Sequence, residues 1–226
     1  MSIRIPDFRL YAITDRRILC EFAGSDEIYE LNIPGARALL LTIETMCRMG
    51  VKCIQLREKD LSALELYQLG LAVREITNRY EVLFLVNDRT DIALGCGADG
   101  VHCREESMSP ASIRKLDEHL LIGSSVHSAE SAEKAVDDGA DFLVFAPVFH
   151  PGSKTIERPP AGIDTLKQIC DISSVPVYAL GGITPSNTGH CLKAGARGVA
   201  GISAVMQSGP ALIETLFGFK RVLGRF

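Results

Sequence analysis

The residues best placed to do chemistry are Gln55-Leu56-Arg57-Glu58-Lys59-Asp60. An apolar run, Val51-Lys52-Cys53-Ile54, enters them, and a helix-forming run from Leu61 to about Tyr80 leaves them. They read as the carboxyl end of a buried strand opening into a loop. Side chains alternate along an extended backbone, so Arg57 and Lys59 share one side and Glu58 takes the other. Two cations on one side of a strand end suit a phosphorylated anion, Arg by bidentate contact and Lys as a point charge. A solvated charged turn is the competing interpretation of the same six residues.

The elements that must position these groups follow from the apolar runs. Strands are expected at Phe8–Thr14, Val51–Gln55, Val82–Val86, Gly100–His102, Leu120–Gly123, Phe142–Ala146, Val175–Leu180 and Val199–Ile202. Between them lie helical patterns at Ala36–Met49, Leu61–Tyr80, Thr90–Leu94, from Ser109-Pro110 onward, Glu130–Asp138, Ile163–Cys170, from Thr184-Pro185-Ser186 to Gly195, and Pro210–Leu223. The Ser-Pro and Thr-Pro pairs supply an N-cap and a first helical residue. Continuous rather than alternating apolar strands mark parallel strands covered on both faces. Gly97-Ala-Asp-Gly-Val101, Gly139-Ala-Asp141 and Gly195-Ala-Arg-Gly-Val199 repeat one helix-to-strand joint, as a reused βα unit would. The pattern predicts one domain, a closed (β/α)8 barrel, which suits the length. A doubly wound open sheet is the runner-up, but no GxGxxG follows the first strand.

In such a barrel the active site lies at the carboxyl ends of the strands. Thr14-Asp15, Gln55 to Lys59, Asn87-Asp88, His102, Ser125, His127, the loop Pro147 to Lys154, Gly181-Gly182 and Ile202-Ser203 all fall there. Gly181-Gly182 and Ile202-Ser203 follow strands seven and eight, where barrels bind phosphate through backbone N–H groups. A simple turn is the alternative for the two glycines. Asp88 is a candidate magnesium ligand, or with Asn87 a helix cap. His127 is a candidate proton donor or acceptor, or a packing residue. His102, at the end of a very short strand, is read as structural. Gly152-Ser153-Lys154 could close over a phosphate, with Lys154 as a mobile cation, or form a solvated turn.

Composition narrows the class. The 226 residues are 46% hydrophobic and 23% charged with a net charge of −4, and no basic block suggests a nucleic-acid partner. No run of 18 apolar residues suggests a membrane span. The start, Met1-Ser-Ile-Arg-Ile-Pro-Asp, lacks an apolar signal core. The seven cysteines are scattered without CxxC, which argues for buried thiols in a reducing compartment, with cytoplasm as the expected location. The polar stretch Cys20 to Asn32 is long enough to cover a barrel mouth.

Taken together, Gln55-Leu-Arg-Glu-Lys59, Asn87-Asp-Arg-Thr-Asp-Ile-Ala-Leu94, Gly97-Ala-Asp-Gly-Val-His102, Ser125-Val-His127, Gly139-Ala-Asp141, Lys154, Gly181-Gly-Ile183 and Gly198-Val-Ala-Gly-Ile-Ser-Ala204 resemble thiamine phosphate synthase and its relative, the TenI-type thiazole tautomerase. The resemblance runs from about Tyr11 to Val205 and implies a TIM barrel acting in thiamine biosynthesis. It implies that hydroxymethylpyrimidine diphosphate and thiazole phosphate are the substrates and that pyrophosphate is released. Carried over by motif, Gln55, Arg57, Lys59, Asn87 and Lys154 would hold the pyrimidine diphosphate. Asp88 would bind Mg2+, Ser125 would line the pyrimidine site, and Gly182, Ile202 and Ser203 would hold the thiazole phosphate, with Gly181 and Ser153 beside them. Arg57, Lys59, Ser125, His127 and Lys154 are the candidate catalytic set. Neither nucleic acid nor membrane is an expected partner, and a homo-oligomer is compatible with the sequence.

Three departures stand against the synthase pattern. After Gly-Val-His that pattern runs Gly-Gln, an acid, then a metal-binding Asp; here it is Cys103-Arg104-Glu105-Glu106-Ser107. Ser107 lacks the carboxylate, which Glu105 or Glu106 would have to replace. Pro151 stands where the family has a hydroxyl residue. Ser107-Met-Ser-Pro110 and Gly123-Ser-Ser-Val-His-Ser128 are closer to the tautomerase, in which the histidine matching His127 moves a proton. The synthase is the leading expectation; the tautomerase and a non-catalytic thiazole or thiamine phosphate-binding regulator are the alternatives.

Overall fold

Runs such as Leu83-Phe-Leu-Val86 have no polar face to offer water, so they are stable only where both faces are covered. In the computed structural model, which describes residues 7–19, 31–150, 159–224 and 226, eight such strands close into a parallel barrel in chain order. The strands are β1 (Leu10–Ile13), β2 (Cys53–Leu56), β3 (Leu83–Asn87), β4 (Gly100–Cys103), β5 (Leu121–Val126), β6 (Phe142–Phe145), β7 (Val177–Ala179) and β8 (Gly198–Gly201). The helices between and after them are α1 (Ala36–Arg48), α2 (Ala63–Arg79), α3 (Thr90–Gly95), α4 (Pro110–Arg114), α5 (Ala129–Asp137), α6 (Gly162–Ile172), α7 (Pro185–Lys193) and α8 (Gly209–Leu223). β8 pairs with β1, with Tyr11 opposite Ala200. The chain is therefore a TIM barrel, as the alternation of runs predicts.

The pleat divides each strand between two cores. Leu10, Ala12, Ile54, Phe84, Val86 and Phe145 face the helices in the larger apolar cluster. Phe8, Tyr11, Leu85, Phe142, Val144 and Tyr178 fill the barrel interior. There Phe142 meets Phe8, Tyr11 and Tyr178 nearly edge-on at 5.5, 5.5 and 5.6 Å. Such pairs add roughly 0.5–1.5 kcal/mol each beyond simple burial. The lower barrel is thus a packed floor and only its upper end is open to chemistry.

The repeated joints have a common function. Asp99 Oδ2 accepts from the Phe84 N–H of β3 at 2.8 Å and from Arg74, and Asp141 Oδ2 accepts from the Ile122 N–H of β5 at 2.7 Å and from Arg114. Each carboxylate satisfies an N–H at the foot of the preceding strand, so one sequence device serves two βα units.

Two boundaries differ from the expectation in ways that matter. α2 begins at Ala63 rather than Leu61, because Ser62 caps it and forms a reciprocal capping box with Glu65. β5 extends beyond Gly123 through Ser124, Ser125 and Val126, which pair with Leu143, Val144 and Phe145. Two serines read as a loop, yet the ladder of β6 overrides their weak strand preference. Ser125 consequently projects from a strand and not from a flexible turn.

Candidate active site

The hexapeptide after β2 is held from below. Glu58 is buried, 5% exposed, and accepts from Thr14 Oγ1 at 2.6 Å and from the Arg16 backbone N–H at 3.0 Å. Arg16, equally buried, reaches Glu58 with Nη1 at 3.1 Å and grips Asp60 with both terminal nitrogens at 2.8 Å. The Arg57 N–H donates to Thr14 Oγ1 at 2.9 Å. This is not a solvated turn: the acid between the two cations is a root, and β1 and β2 are bolted together at their upper ends. Burial raises the Glu58 pKa against the opposing pull of Thr14 and Arg16, while Arg16 lowers that of Asp60.

Inside the barrel mouth a hydrogen-bonded chain runs across four strands. Gln55 Nε2 donates to the Tyr11 hydroxyl at 2.7 Å, Tyr11 Oη lies 3.4 Å from His102 Nδ1, and His102 Nε2 lies 2.8 Å from Ser125 Oγ. With Tyr11 donating to Nδ1 and Nε2–H donating to Ser125, every link has one donor and one acceptor. Gln55 Oε1 and the Ser125 hydroxyl hydrogen remain at the two ends as an acceptor and a donor. Burial, and secondarily the charge of Arg57, push the His102 pKa down to about 3, so the ring is neutral near pH 7. Burial pushes the Tyr11 hydroxyl well up. Gly123 on β5 makes room for this chain, since a Cβ there would lie 2.8 Å from His102 Nδ1 and 2.3 Å from the Phe142 ring. His102 is therefore more than a strand terminus; it connects two of the predicted site residues.

Beside the mouth, Lys59, Asn87, Asp88, Arg89 and Arg104, with Glu58 and three leucines, line a pocket of about 330 Å³. Asp88 has φ 65°, in the left-handed region that costs a non-glycine residue roughly 1–2 kcal/mol; its N–H continues the ladder to His102 O at 2.9 Å. Arg104 Nε and Nη2 both donate to Asp88 Oδ2, at 3.1 and 2.5 Å. Burial works against the charged form of Asp88, but the Ser107 hydroxyl, Arg104 and Lys59 outweigh it and lower the pKa. Ser107 thus supports Asp88 by a hydrogen bond where the family pattern would have a second carboxylate. Glu105 and Glu106 are exposed on the turn after β4 and do not line the pocket. Among the described residues no cluster of three His, Cys, Asp or Glu could cage a metal ion. Asp88 is a sufficient protein donor only for a cation that takes its other ligands from water and substrate phosphates, which is the habit of magnesium.

On the opposite rim, Gly181 and Gly182 follow β7 with φ 98° and 62°. A Cβ on Gly181 would lie 2.6 Å from Pro147, and one on Gly182 2.4 Å from the His150 carbonyl oxygen. Both glycines are required by the close approach of the loop after β6, whatever else they do. Neither the Gly182 nor the Ser203 N–H finds a backbone acceptor among the described residues. Ile202 is half-buried against the interior core and Ser203 is exposed. His127 Nδ1 donates to the Ala146 carbonyl at 2.5 Å, which leaves Nε2 as the ring's acceptor. Ser153 and Lys154, like Pro151 and most of the Cys20 to Asn32 stretch, lie outside the described residues.

The structure brings Gln55 and Ser125 into one chain and Lys59, Asn87 and Asp88 into one pocket; Arg57, tied to Thr14 through its backbone N–H, does not line that pocket. Tyr11 and Arg104 are site residues that the sequence pattern does not single out, and Glu58 stands within the hexapeptide without showing its role as a buried anchor. Tyr11 is hidden because an aromatic residue in a strand reads as core. Arg104 carried a usable signal, a charged residue two positions after His102 at a strand end.

Comparison with known proteins identifies the relatives of this chain. A family model described as thiamine monophosphate synthase matches residues 28–205. A thiamine-phosphate synthase of Chloroflexus aurantiacus is 37% identical over 207 residues, covering 91% of this chain and 89% of that protein. One from Pyrococcus abyssi is 38% identical over 198 residues, covering 88% and 86%. Among solved structures, a thiamine phosphate pyrophosphorylase from Pyrococcus furiosus superposes with a TM-score of 0.78 at 32% identity, covering 96% of each chain.

Proposed function

The chain belongs to the thiamine monophosphate synthase family, and on that premise we propose how its own residues carry the synthase reaction. The reaction joins hydroxymethylpyrimidine diphosphate to thiazole phosphate and releases pyrophosphate. The observation that carries the assignment of roles is the buried chain from Gln55 to Ser125 opening beside the cationic pocket. An aminopyrimidine presents an N–H donor and a ring-nitrogen acceptor, and Gln55 Oε1 and the Ser125 hydroxyl are their complements. Arg57, Lys59 and Asn87 then meet the diphosphate; Lys154 is assigned to the diphosphate and Ser153 to the thiazole phosphate by the family motif alone, since both lie outside the described residues. Gly181, Gly182, Ile202 and Ser203 hold the thiazole phosphate through backbone N–H groups and the Ser203 hydroxyl.

Bond breaking comes first. The bond between the pyrimidine methylene carbon and the diphosphate oxygen cleaves, and its electron pair leaves with the diphosphate. The pyrimidine-methyl cation that remains is captured by the lone pair of the thiazole nitrogen, which forms the new C–N bond. No proton transfer is needed at the bond-forming atoms, so the work of the protein is charge stabilisation and positioning. Neutral His102 suits this step, since a protonated imidazole beside a developing carbocation would oppose it. Mg2+ at Asp88 would neutralise the leaving group, but Arg104 already takes Asp88 Oδ2, so the positive charge beside the diphosphate is assigned to Lys59 and Arg104 and no step is routed through an ion. His127 has an orienting role, fixed by Ala146. The tautomerase and the non-catalytic regulator are not favoured, because the relatives above are named for the synthase.

Arg57→Ala and Lys59→Ala are expected to lower kcat/KM for thiamine phosphate formation by roughly 10²-fold or more, the loss of one charged transition-state contact. Arg79→Ala, on the outer face of α2 among Glu44 and Glu75, is the control. Arg57 and Lys59 variants with the control's activity would refute the assignment.

A further inference from the structure

The Asp88–Arg104 pair has the arrangement expected around a bound metal ion, with a guanidinium as the cation. Asp88 carries its carboxylate at the rim of the pocket beside the mouth. Nε and Nη2 of Arg104 both face Asp88 Oδ2, so one edge of the guanidinium is spent on the protein. A guanidinium has five N–H donors, and Nη1 finds no acceptor among the described residues. Arg104 lines the same pocket as Lys59 and Asn87, and its side chain is 47% exposed. The Arg104 N–H donates to Ser107 Oγ at 2.9 Å, and Ser107 in turn bonds Asp88, so backbone, hydroxyl and carboxylate fix where the guanidinium stands.

Resting on the diphosphate reading above, we propose that Arg104 is a diphosphate-binding residue that bridges Asp88 and the phosphate oxygens, so that this protein binds diphosphate without a divalent cation. The chemistry matches that of the ion it replaces: a positive charge anchored on one carboxylate, with its remaining coordination directed at phosphate. It differs in geometry, since the planar fork takes two oxygens side by side while magnesium demands an octahedron. A metal ion at Asp88 would have to compete with Arg104 for Oδ2. The single carboxylate and the serine at position 107 then belong together with the arginine: with the cation covalently built in, a second metal-binding carboxylate would only add charge that repels the diphosphate.

The test is calorimetric titration of inorganic pyrophosphate into the full chain, once in EDTA and once in magnesium, for the wild type, Arg104→Ala and Arg104→Lys. Thermal melts confirm that each variant is folded, as expected for a half-exposed side chain on a turn. The wild type binds pyrophosphate in EDTA. Arg104→Ala weakens that binding by about 10- to 100-fold, the worth of one charge-assisted hydrogen-bonding group. Arg104→Lys falls between, having charge without the fork. Equal affinity of wild type and Arg104→Ala in EDTA overturns the proposal. Wild-type binding that needs magnesium overturns it too, while leaving the diphosphate reading intact. Absence of binding under both conditions removes the diphosphate reading along with it.

Discussion

Glu58→Ala isolates what holds the catalytic loop in place. The substitution removes a buried carboxylate that accepts from Thr14 Oγ1, the Arg16 N–H and Arg16 Nη1. Arg16 remains, with its side chain only 6% exposed. Breaking a buried ion pair from one side typically costs about 3–5 kcal/mol, because the other charge is left uncompensated. Here Asp60 still grips the guanidinium at 2.8 Å and the Pro34 carbonyl accepts from Nε at 2.9 Å, which offsets part of that loss. The Arg16 N–H, however, is orphaned, and a buried unsatisfied group costs about 1–3 kcal/mol. The balance is about 3 kcal/mol, which for a chain of this size lowers Tm by roughly 6–12 °C. Urea unfolding and thermal melts at pH 7 measure it directly. Turnover should fall as well, because Thr14 loses the partner that orients it toward the Arg57 N–H. A variant melting within about 2 °C of wild type would refute the view that Glu58 is the root of the loop, since exposed pairs are worth no more than that.

Further outcomes follow from the same structure. His102 stays neutral in the fold until about pH 3, while the unfolded chain takes up that proton near pH 6.5. Because the folded pKa is depressed, stability falls as pH drops through that window, by up to about 1.4 kcal/mol per pH unit. Urea titrations at pH 7, 6 and 5 should show His102→Gln with a shallower loss than wild type; parallel slopes would mean that the ring is solvated. Gly182→Ala must place a Cβ 2.4 Å from the His150 carbonyl oxygen at φ 62°, so it should cost at least about 2 kcal/mol. It should also raise KM for thiazole phosphate more than for the pyrimidine substrate. An unchanged melt and unchanged KM would contradict the close approach of the two loops.

Much of this was legible in the sequence because parallel barrels announce themselves: apolar strands, helix stops at glycine, and polar residues only at strand ends. The floor of the barrel needed no foresight, and Asn87, Asp88 and Lys59 fell together because they end adjacent strands. What escaped was long-range pairing. Glu58 looks like its neighbours Arg57 and Lys59 until Thr14 and Arg16, 44 and 42 residues away, are packed on it. Tyr11 and His102 are separated by 91 residues and join only when β1 and β4 face each other across the interior. Ser125 reads as a loop residue but lies in β5, since pairing with β6, not local preference, decides where β5 ends. The departure at Cys103 to Ser107 was visible as a missing carboxylate, whereas the arginine supplying the opposite charge became meaningful only once it met Asp88.

The most direct measurement is turnover of the purified protein with hydroxymethylpyrimidine diphosphate and thiazole phosphate, following thiamine phosphate and pyrophosphate together. Both products are expected in equal amounts, with formation sharply reduced in Arg57→Ala. No product, despite measurable binding of thiazole phosphate, would contradict that expectation.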